Sequence, residues 1–215
     1  EIRLSLVGSE MCIRDSYHMA LSALSSFVGE GRFGAGMPLV VTTLARELGL
    51  SPTPVREALA RLAGEGVIDH WPGRGYFAPG LAASDIVELY DYHQRLILWA
   101  IDAPVATGAL IADQEEVSLL DRLERVFAGV AGRSGNRVLI RAQRLTSVRL
   151  RPVRAVETTV APVTLGEVER LEDLSGNEES TGFREAVIRY HEGRMEVVAS
   201  ISAAVRRSGE SIDQI

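Results

Sequence analysis

The stretch from Leu39 to Pro79 constrains the fold more than any other, because glycine and proline punctuate it at fixed points. Thr42 to Leu48 reads as a short helix with Leu44, Ala45 and Leu48 turned inward. Gly49 is placed to end it, since glycine accepts the left-handed conformation common just past a helix C-terminus. Thr53 is a good N-cap and Pro54 a good first helical residue, its missing N–H being unpaired there in any case. A second helix then runs to about Glu65, with Val55, Ala58, Leu59 and Leu62 on one stripe, and Gly66 stops it. Two short extended pieces follow, Val67–His70 and Tyr76–Ala78, joined by Trp71-Pro-Gly-Arg-Gly75, a tight turn with an arginine at its tip. Upstream, Tyr17, Leu21, Leu24 and Val28 recur at helical spacing, and glycines and Pro38 then open a loop. Leu39-Val40-Val41 suits either a short strand or the lead-in to a helix. Helix, short helix, turn, second helix and hairpin is the element order of a winged helix-turn-helix.

Such a head docks by placing the N-terminus of its second helix in the major groove of DNA, which calls for small polar residues there and an arginine within the first turns. Ser51, Thr53 and Arg56 supply them, and Arg74 stands at the turn of the hairpin where it can meet phosphate or a minor groove. Taken singly, Arg56 beside Glu57 is an ordinary solvated helix face and Arg74 an ordinary turn residue; the arrangement as a whole favours the DNA reading.

Net charge must be placed before it is weighed. The chain of 215 residues carries a formal net charge of −6. Residues 39–79 hold four Arg and four acids, while the stretch from residue 80 onward holds 21 acids against 16 Arg. A neutral head on an acidic body is compatible with DNA binding, though with modest non-specific affinity, because counterion release scales with the phosphates contacted. The single cysteine, Cys12, leaves no internal disulfide framework, which fits a cytoplasmic protein. No apolar run is long enough to predict a membrane span. Residues 1–16 are expected to lie outside the fold, artefactual or disordered, since Leu4 to Ser16 resembles translated sequencing-adapter sequence.

The run Leu44-Ala-Arg-Glu-Leu-Gly-Leu-Ser-Pro-Thr-Pro-Val-Arg-Glu-Ala-Leu-Ala-Arg-Leu62, followed by Glu65-Gly-Val-Ile68 and Pro72-Gly-Arg-Gly-Tyr-Phe77, resembles the GntR family of bacterial transcriptional regulators. The resemblance covers about residues 17–79 and implies DNA contacts by Ser51, Thr53, Arg56, Gly73 and Arg74. Two departures stand out. The family often has arginine at the positions held here by Thr42 and Pro52, so Arg56 and the wing are expected to carry more of the binding.

Beyond Pro79-Gly80 the pattern is helical almost throughout, with helices expected at about 84–101, 103–112, 114–131, 136–157, 164–174 and 181–207. The expected fold class is therefore mostly α: a winged helix-turn-helix over 17–80 and an all-α bundle over 81–215. A helical domain after such a head resembles the FadR subgroup, whose C-terminal (FCD-type) bundle dimerises and binds a small effector. Ser134-Gly-Asn136 with Leu139, and Arg189-Tyr-His-Glu192, carry that resemblance. Many members of the subgroup bind a metal through Asp and three His. Here the matching positions fall on Leu123, Phe127, His191 and about Asp213, so no metal is expected. His93, Arg141 and His191 are the candidate effector contacts. Arg137, Arg141, Arg144 and Arg151 recur at helical spacing, either as a solvated face paired with Glu167, Glu169, Glu172 and Asp173 or as a clamp for a carboxylate effector.

No Gly-rich phosphate loop, metal set or Ser–His–acid grouping argues for an enzyme. The expected function is a sequence-specific, effector-responsive DNA-binding regulator acting as a homodimer on an operator. The alternative is a helical interaction module whose winged helix binds protein.

Overall fold

A computed structural model describes residues 3–104, 118–175 and 180–210, with side chains over 15–104, 118–175 and 181–205. The chain divides into two units, Glu1–Gly80 with Arg206–Ile215, and Leu81–Val205.

The first unit contains α1 (Arg3–Gly29), α2 (Val41–Leu48), α3 (Pro52–Gly64), β1 (Asp69–Trp71) and β2 (Gly75–Phe77). The backbone of α1 is helical from Arg3, so the segment expected to stand outside the fold continues the helix that the apolar stripe announces at Tyr17. Ala20, Leu24 and Val28 of α1 are buried, as are Leu44 and Ala45 of α2 and Val55, Ala58, Leu59 and Leu62 of α3. Both α1 and α2 pack on α3. Gly49 follows α2 at φ 65°, and its N–H and that of Leu50 close the helix on Arg46 and Ala45 carbonyls. The start of α3 differs from expectation: Ser51 is the N-cap and Pro52 the first helical residue, with Thr53 and Pro54 inside the first turn. Both prolines are tolerated because the first-turn N–H groups have no intrahelical partner.

The hairpin pairs Asp69 with Phe77, His70 with Tyr76 and Trp71 with Gly75. Residues 36–39 run along its other edge, with Leu39 N–H donating to Tyr76 O at 2.8 Å and Ala78 N–H to Met37 O at 2.9 Å. The lead-in therefore serves both of its expected roles: Leu39 is buried against the hairpin, and Val40 is the N-cap of α2.

The second unit contains α4 (Ala83–Asp102), α5 (Leu119–Arg133), α6 (Arg137–Val160), α7 (Leu165–Ser175), α8 (Ser180–Glu196) and, as far as Val205, α9 (Val198–Glu210). Helix α4 packs on α5, α6 and α8, while α7 packs on α5 and α8. The core gathers Tyr90, Ile97, Leu123, Phe127, Leu150, Val187 and Ile201, all fully buried. The helix expected at 103–112 falls almost entirely outside the described residues. The single helix expected at 181–207 is instead two, interrupted at Val197 with no proline or glycine at the break.

The helix expected from 136 begins where its cap dictates. Asn136 Oδ1 accepts the N–H groups of Val138 at 3.0 Å and Leu139 at 3.2 Å, satisfying two donors that the helix leaves open. Asn136→Ala is expected to lower stability by about 1 kcal/mol, read as a fall in denaturant midpoint at unchanged slope.

Candidate nucleic-acid interface and interior polar cluster

Ser51, Thr53 and Arg56 all lie exposed at the N-terminal half of α3, while Pro54, Val55, Ala58 and Leu59 on its opposite side are buried. Ser51 caps α3 by backbone position alone; its side chain makes no cap hydrogen bond. Four arginines lie in residues 39–79 of this head. Arg61 is tied to Glu65 at 2.5 Å, whereas Arg46, Arg56 and Arg74 make no carboxylate pair among the described residues. Two of the four acids are neutralised locally, Glu47 by Arg32 and Glu65 by Arg61. A head with zero formal charge therefore exposes more unpaired guanidinium than its composition suggests.

The wing turn has a definite cause. Arg74 N–H donates to Trp71 O at 2.9 Å, Pro72 takes the second position of the turn, and Gly73 takes the third at φ 77°. Proline followed by a residue of positive φ is the signature of a type II turn, and any side chain at Gly73 would be strained in that backbone. Arg74 then lies over two aromatic rings, with its guanidinium carbon 5.5 Å from the Trp71 centroid and 5.7 Å from that of Phe77. Those contacts hold a cation at the exposed wing without neutralising it.

The interior of the second unit brings His93 and His191 together, both fully buried, with His93 Nδ1 and His191 Nε2 2.8 Å apart. The surrounding hydrogen bonds assign their protons. Val187 O can only accept, so His191 Nδ1, 2.7 Å away, carries a hydrogen. His191 Nε2 then accepts from His93 Nδ1–H, and His93 Nε2 faces the Ser147 hydroxyl at 3.3 Å. Gln143 Nε2 donates to that hydroxyl at 2.9 Å. Both rings are neutral in this chain of bonds. Burial pushes His191 down to about 3, reinforced by the Arg154 and Arg194 charges, and pushes His93 well below its ordinary value in the same way.

Next to this pair lies a cluster of charges that the sequence reading missed. Arg154 on α6 is buried, with its side chain at 0% exposure, and its guanidinium carbon is 5.8 Å from the Phe127 ring centroid. Its nearest carboxylate oxygen is Glu124 Oε1 at 3.7 Å from Nη1. Tyr90 OH donates to Glu157 Oε1. Arg194 grips Glu167 with two bonds of 2.6 and 2.8 Å and lies over the Tyr190 ring at 4.2 Å. Burial alone would favour loss of the Arg154 proton, but Tyr190, Tyr90, Glu124 and Glu157 outweigh it and keep the group charged. Burial raises Glu124 and Glu157 above the usual carboxylate range, against the pull of the neighbouring arginines, and holds the Tyr190 phenol up at about 12.

Of the candidate effector contacts, His93 and His191 are adjacent in this interior. Arg141 is not: it lies on the exposed side of α6, opposite Gln143, Thr146, Leu150 and Arg154. The expected pairing of the α6 arginines with α7 acids is also corrected. Arg137 and Arg144 are exposed, and Arg151 pairs with Asp121 at 2.7 Å and Glu124 at 3.5 Å on α5. Glu167 and Glu172 pair instead with Arg194 and Arg122.

The described residues at the expected donor positions do not fit a metal. Leu123 and Phe127 are fully buried apolar side chains, and both ring nitrogens of His191 are committed to Val187 and His93. Among the described residues, no three His, Cys, Asp or Glu side chains gather as a metal site requires. Asp213 lies outside the described residues.

Residues 16–77 match the family model described as bacterial regulatory proteins, gntR family. An HTH-type transcriptional regulator from Agrobacterium vitis, in the TAR-I ttuE-ttuC' intergenic region, is 34% identical over 127 residues, covering 55% of this chain and 71% of that protein. The chain belongs to the GntR family. The HTH-type regulator YdhC of Bacillus subtilis is a further relative, 27% identical over 106 residues, covering 49% of this chain and 46% of its own length. Two solved structures share the fold across both units of this GntR-family chain, each covering 86% of it and 97% of its own length. They are McbR/YncC of E. coli, at TM-score 0.64 and 20% identity, and a GntR regulator of Rhodococcus sp. RHA1, at TM-score 0.65 and 16% identity. The family match spans the helix α3 and wing whose exposed residues are described above.

Proposed function

We propose that this GntR-family chain is a sequence-specific DNA-binding transcription regulator whose α3 enters the major groove and whose activity is set by a small effector in its helical unit. The observation that carries the DNA reading is the pair of unneutralised arginines, Arg56 and Arg74, exposed on the recognition helix and the wing of a family-typical head. Ser51 and Thr53 offer hydroxyls beside the N–H groups at the start of α3, a combination suited to phosphate oxygens. Gly73 keeps the wing backbone close to the duplex, and Arg74 supplies its charge.

Two heads in a homodimer read half-sites about one helical turn apart. An effector that prefers one dimer geometry shifts the balance between DNA-competent and incompetent states. The helical unit resembles the FCD-type bundle of the FadR subgroup, with Leu123 and Phe127 at two of its metal-donor positions. Among the described residues no helix is long and apolar enough to cross a membrane, which suits a regulator acting on DNA in the cytoplasm.

The salt dependence of DNA binding tests this reading. Affinity is expected to fall steeply as salt rises, and Arg74→Ala is expected to weaken binding to all sequences alike while reducing the salt slope by about 1. Binding indifferent to salt would favour the protein-interaction alternative.

A further inference from the structure

We propose that the indole of Trp71 enters the minor groove beside the wing and selects A·T over G·C base pairs there. The proposal rests on the DNA reading put forward above and adds to it a second reading element, in the other groove from α3.

The argument begins with an aromatic ring left in water. Of the Trp, Tyr and Phe rings described in the first unit, Trp71 alone is more than half exposed, at 52%. The hairpin leaves it so by construction. Trp71 ends β1 opposite Gly75, which brings no side chain across the strand pair to cover it. On the diagonal it meets the Phe77 ring edge-on, with centroids 6.4 Å apart. His70 and Tyr76 lie on the other face of the hairpin, where their rings pair at 4.8 Å. The Trp71 indole N–H makes no hydrogen bond among the described residues, so it is free to donate outward. Shaping the turn does not require this ring, because Pro72 and Gly73 already fix the backbone there.

The surroundings of the ring suit a nucleic acid. The exposed Arg74 guanidinium stands 5.5 Å from the indole centroid and is paired with no carboxylate among the described residues. The one acid of residues 69–77 is Asp69, at the far rung opposite Phe77, where it accepts from Gly80 N–H at 3.4 Å. The tip of the wing is therefore both cationic and apolar. Phosphates line the edges of each groove, so Arg74 seated on one of them carries the neighbouring indole to the groove mouth. A minor groove about 6 Å wide admits a flat ring edge-on. What the ring can read there follows from its single polar atom, which donates and never accepts. In the major groove every base pair shows an acceptor, and a lone donor distinguishes little. In the minor groove A·T pairs show acceptors only, adenine N3 and thymine O2, whereas G·C adds the guanine amino group, a donor that opposes the indole N–H. A donor-only ring at this place therefore favours A·T.

The test uses the intact chain and duplexes that it enriches from a random pool. Each A·T pair of the enriched sequence is replaced in turn by G·C, by inosine·C and by 2,6-diaminopurine·T. Inosine·C keeps the major-groove face of G·C but has no amino group in the minor groove, and diaminopurine·T adds that amino group to A·T. At one or more positions, G·C and diaminopurine·T are expected to weaken binding about tenfold, while inosine·C binds as A·T does. Trp71→Phe keeps a ring against Phe77 and removes the N–H. It should bind the A·T duplex with nearly the parent's affinity and lose most of the discrimination, which a merely structural ring would leave unchanged. In a Trp99→Phe background, which leaves Trp71 as the single tryptophan, bound DNA should shield the indole emission from acrylamide. The proposal is overturned by a bound pool without a preferred A·T pair, by inosine·C behaving as G·C at every position, by discrimination that survives Trp71→Phe, or by an indole as open to acrylamide on DNA as off it. In each of those results DNA is still bound, so the reading by α3 is untouched. A folded chain that binds no duplex removes that reading, and the role of Trp71 with it.

Discussion

Arg56→Ala is expected to lower affinity for a specific operator by about tenfold to hundredfold while leaving the fold intact. The side chain is exposed on α3, makes no ion pair or hydrogen bond among the described residues, and contributes nothing to the core formed by Val55, Ala58, Leu59 and Leu62. Its removal therefore carries no packing penalty, and alanine is the better helix former. A guanidinium that reaches a guanine edge with two hydrogen bonds is worth about 1–3 kcal/mol of base discrimination. Here that sum is less shared than usual, because Thr42 and Pro52 stand where the family often has arginine. Pro52 is also the first residue of α3, a structural post that gives it no donor to offer DNA. A competition gel shift at fixed salt separates the effects: specific binding should collapse towards the level of random DNA, which itself changes little. Unchanged operator affinity in the variant would remove α3 from the role of recognition helix.

Acidification is expected to unfold the helical unit early, through His93 and His191. Both are buried and neutral, and the folded state of His191 takes up a proton only near pH 3, against 6.5 ordinarily. His93 is displaced in the same direction. The unfolded chain binds these protons as pH drops below about 6.5 and the folded chain does not, so stability is present above that value and lost progressively below it. Between pH 7 and pH 5, His191 alone costs about 2 kcal/mol, and His93 adds to the loss in the same sense. Glu124 and Glu157, raised by burial, act oppositely: the folded state accepts their protons more readily, which offsets part of the loss as the carboxylate range is approached. The bonding pattern gives the same sign independently, since a proton on His191 Nε2 would point at the hydrogen of His93 Nδ1. Urea unfolding across this pH range, followed by Trp99 in a Trp71→Phe background, isolates the helical unit, because the chain has two tryptophans. The midpoint should fall with pH, and replacing both histidines by glutamine should flatten the dependence. A midpoint independent of pH between 7 and 5 would show that the pair is charged or solvated in the folded protein.

The winged head was legible because its punctuation has few solutions. Gly49, Gly66 and the Pro72-Gly73 turn each demand one local conformation, and the apolar stripes between them agree on a single inner face. The start of α3 was misread by two residues because Pro-Thr-Pro offers two admissible first positions, and both prolines fit the first turn. The interior cluster was harder to see. On α6 the inner face reads Leu139, Gln143, Thr146, Leu150, Val153, Arg154 and Glu157, four of the seven polar, so a search for apolar periodicity marks it only weakly. Of the arginines that did stand out, Arg137, Arg141 and Arg144 lie exposed, and only Arg151 reaches Glu124 beside the cluster. The missing signal was a recurrence of polar residues at spacings of three and four that coincides with polar residues on facing helices, which a single sequence does not place together. The two histidines were found, but their mutual bond depends on α4 and α8 packing, which no local pattern encodes.

On the proposed function, the exposed face of α3 and the wing read a DNA sequence. Selection of binding sites from a random duplex pool by the intact chain tests it most directly. The expected result is enrichment of one motif, arranged as two half-sites about one helical turn apart, with enrichment lost for Arg56→Ala. A pool that emerges without any enriched motif, from a chain shown to be folded, would contradict it.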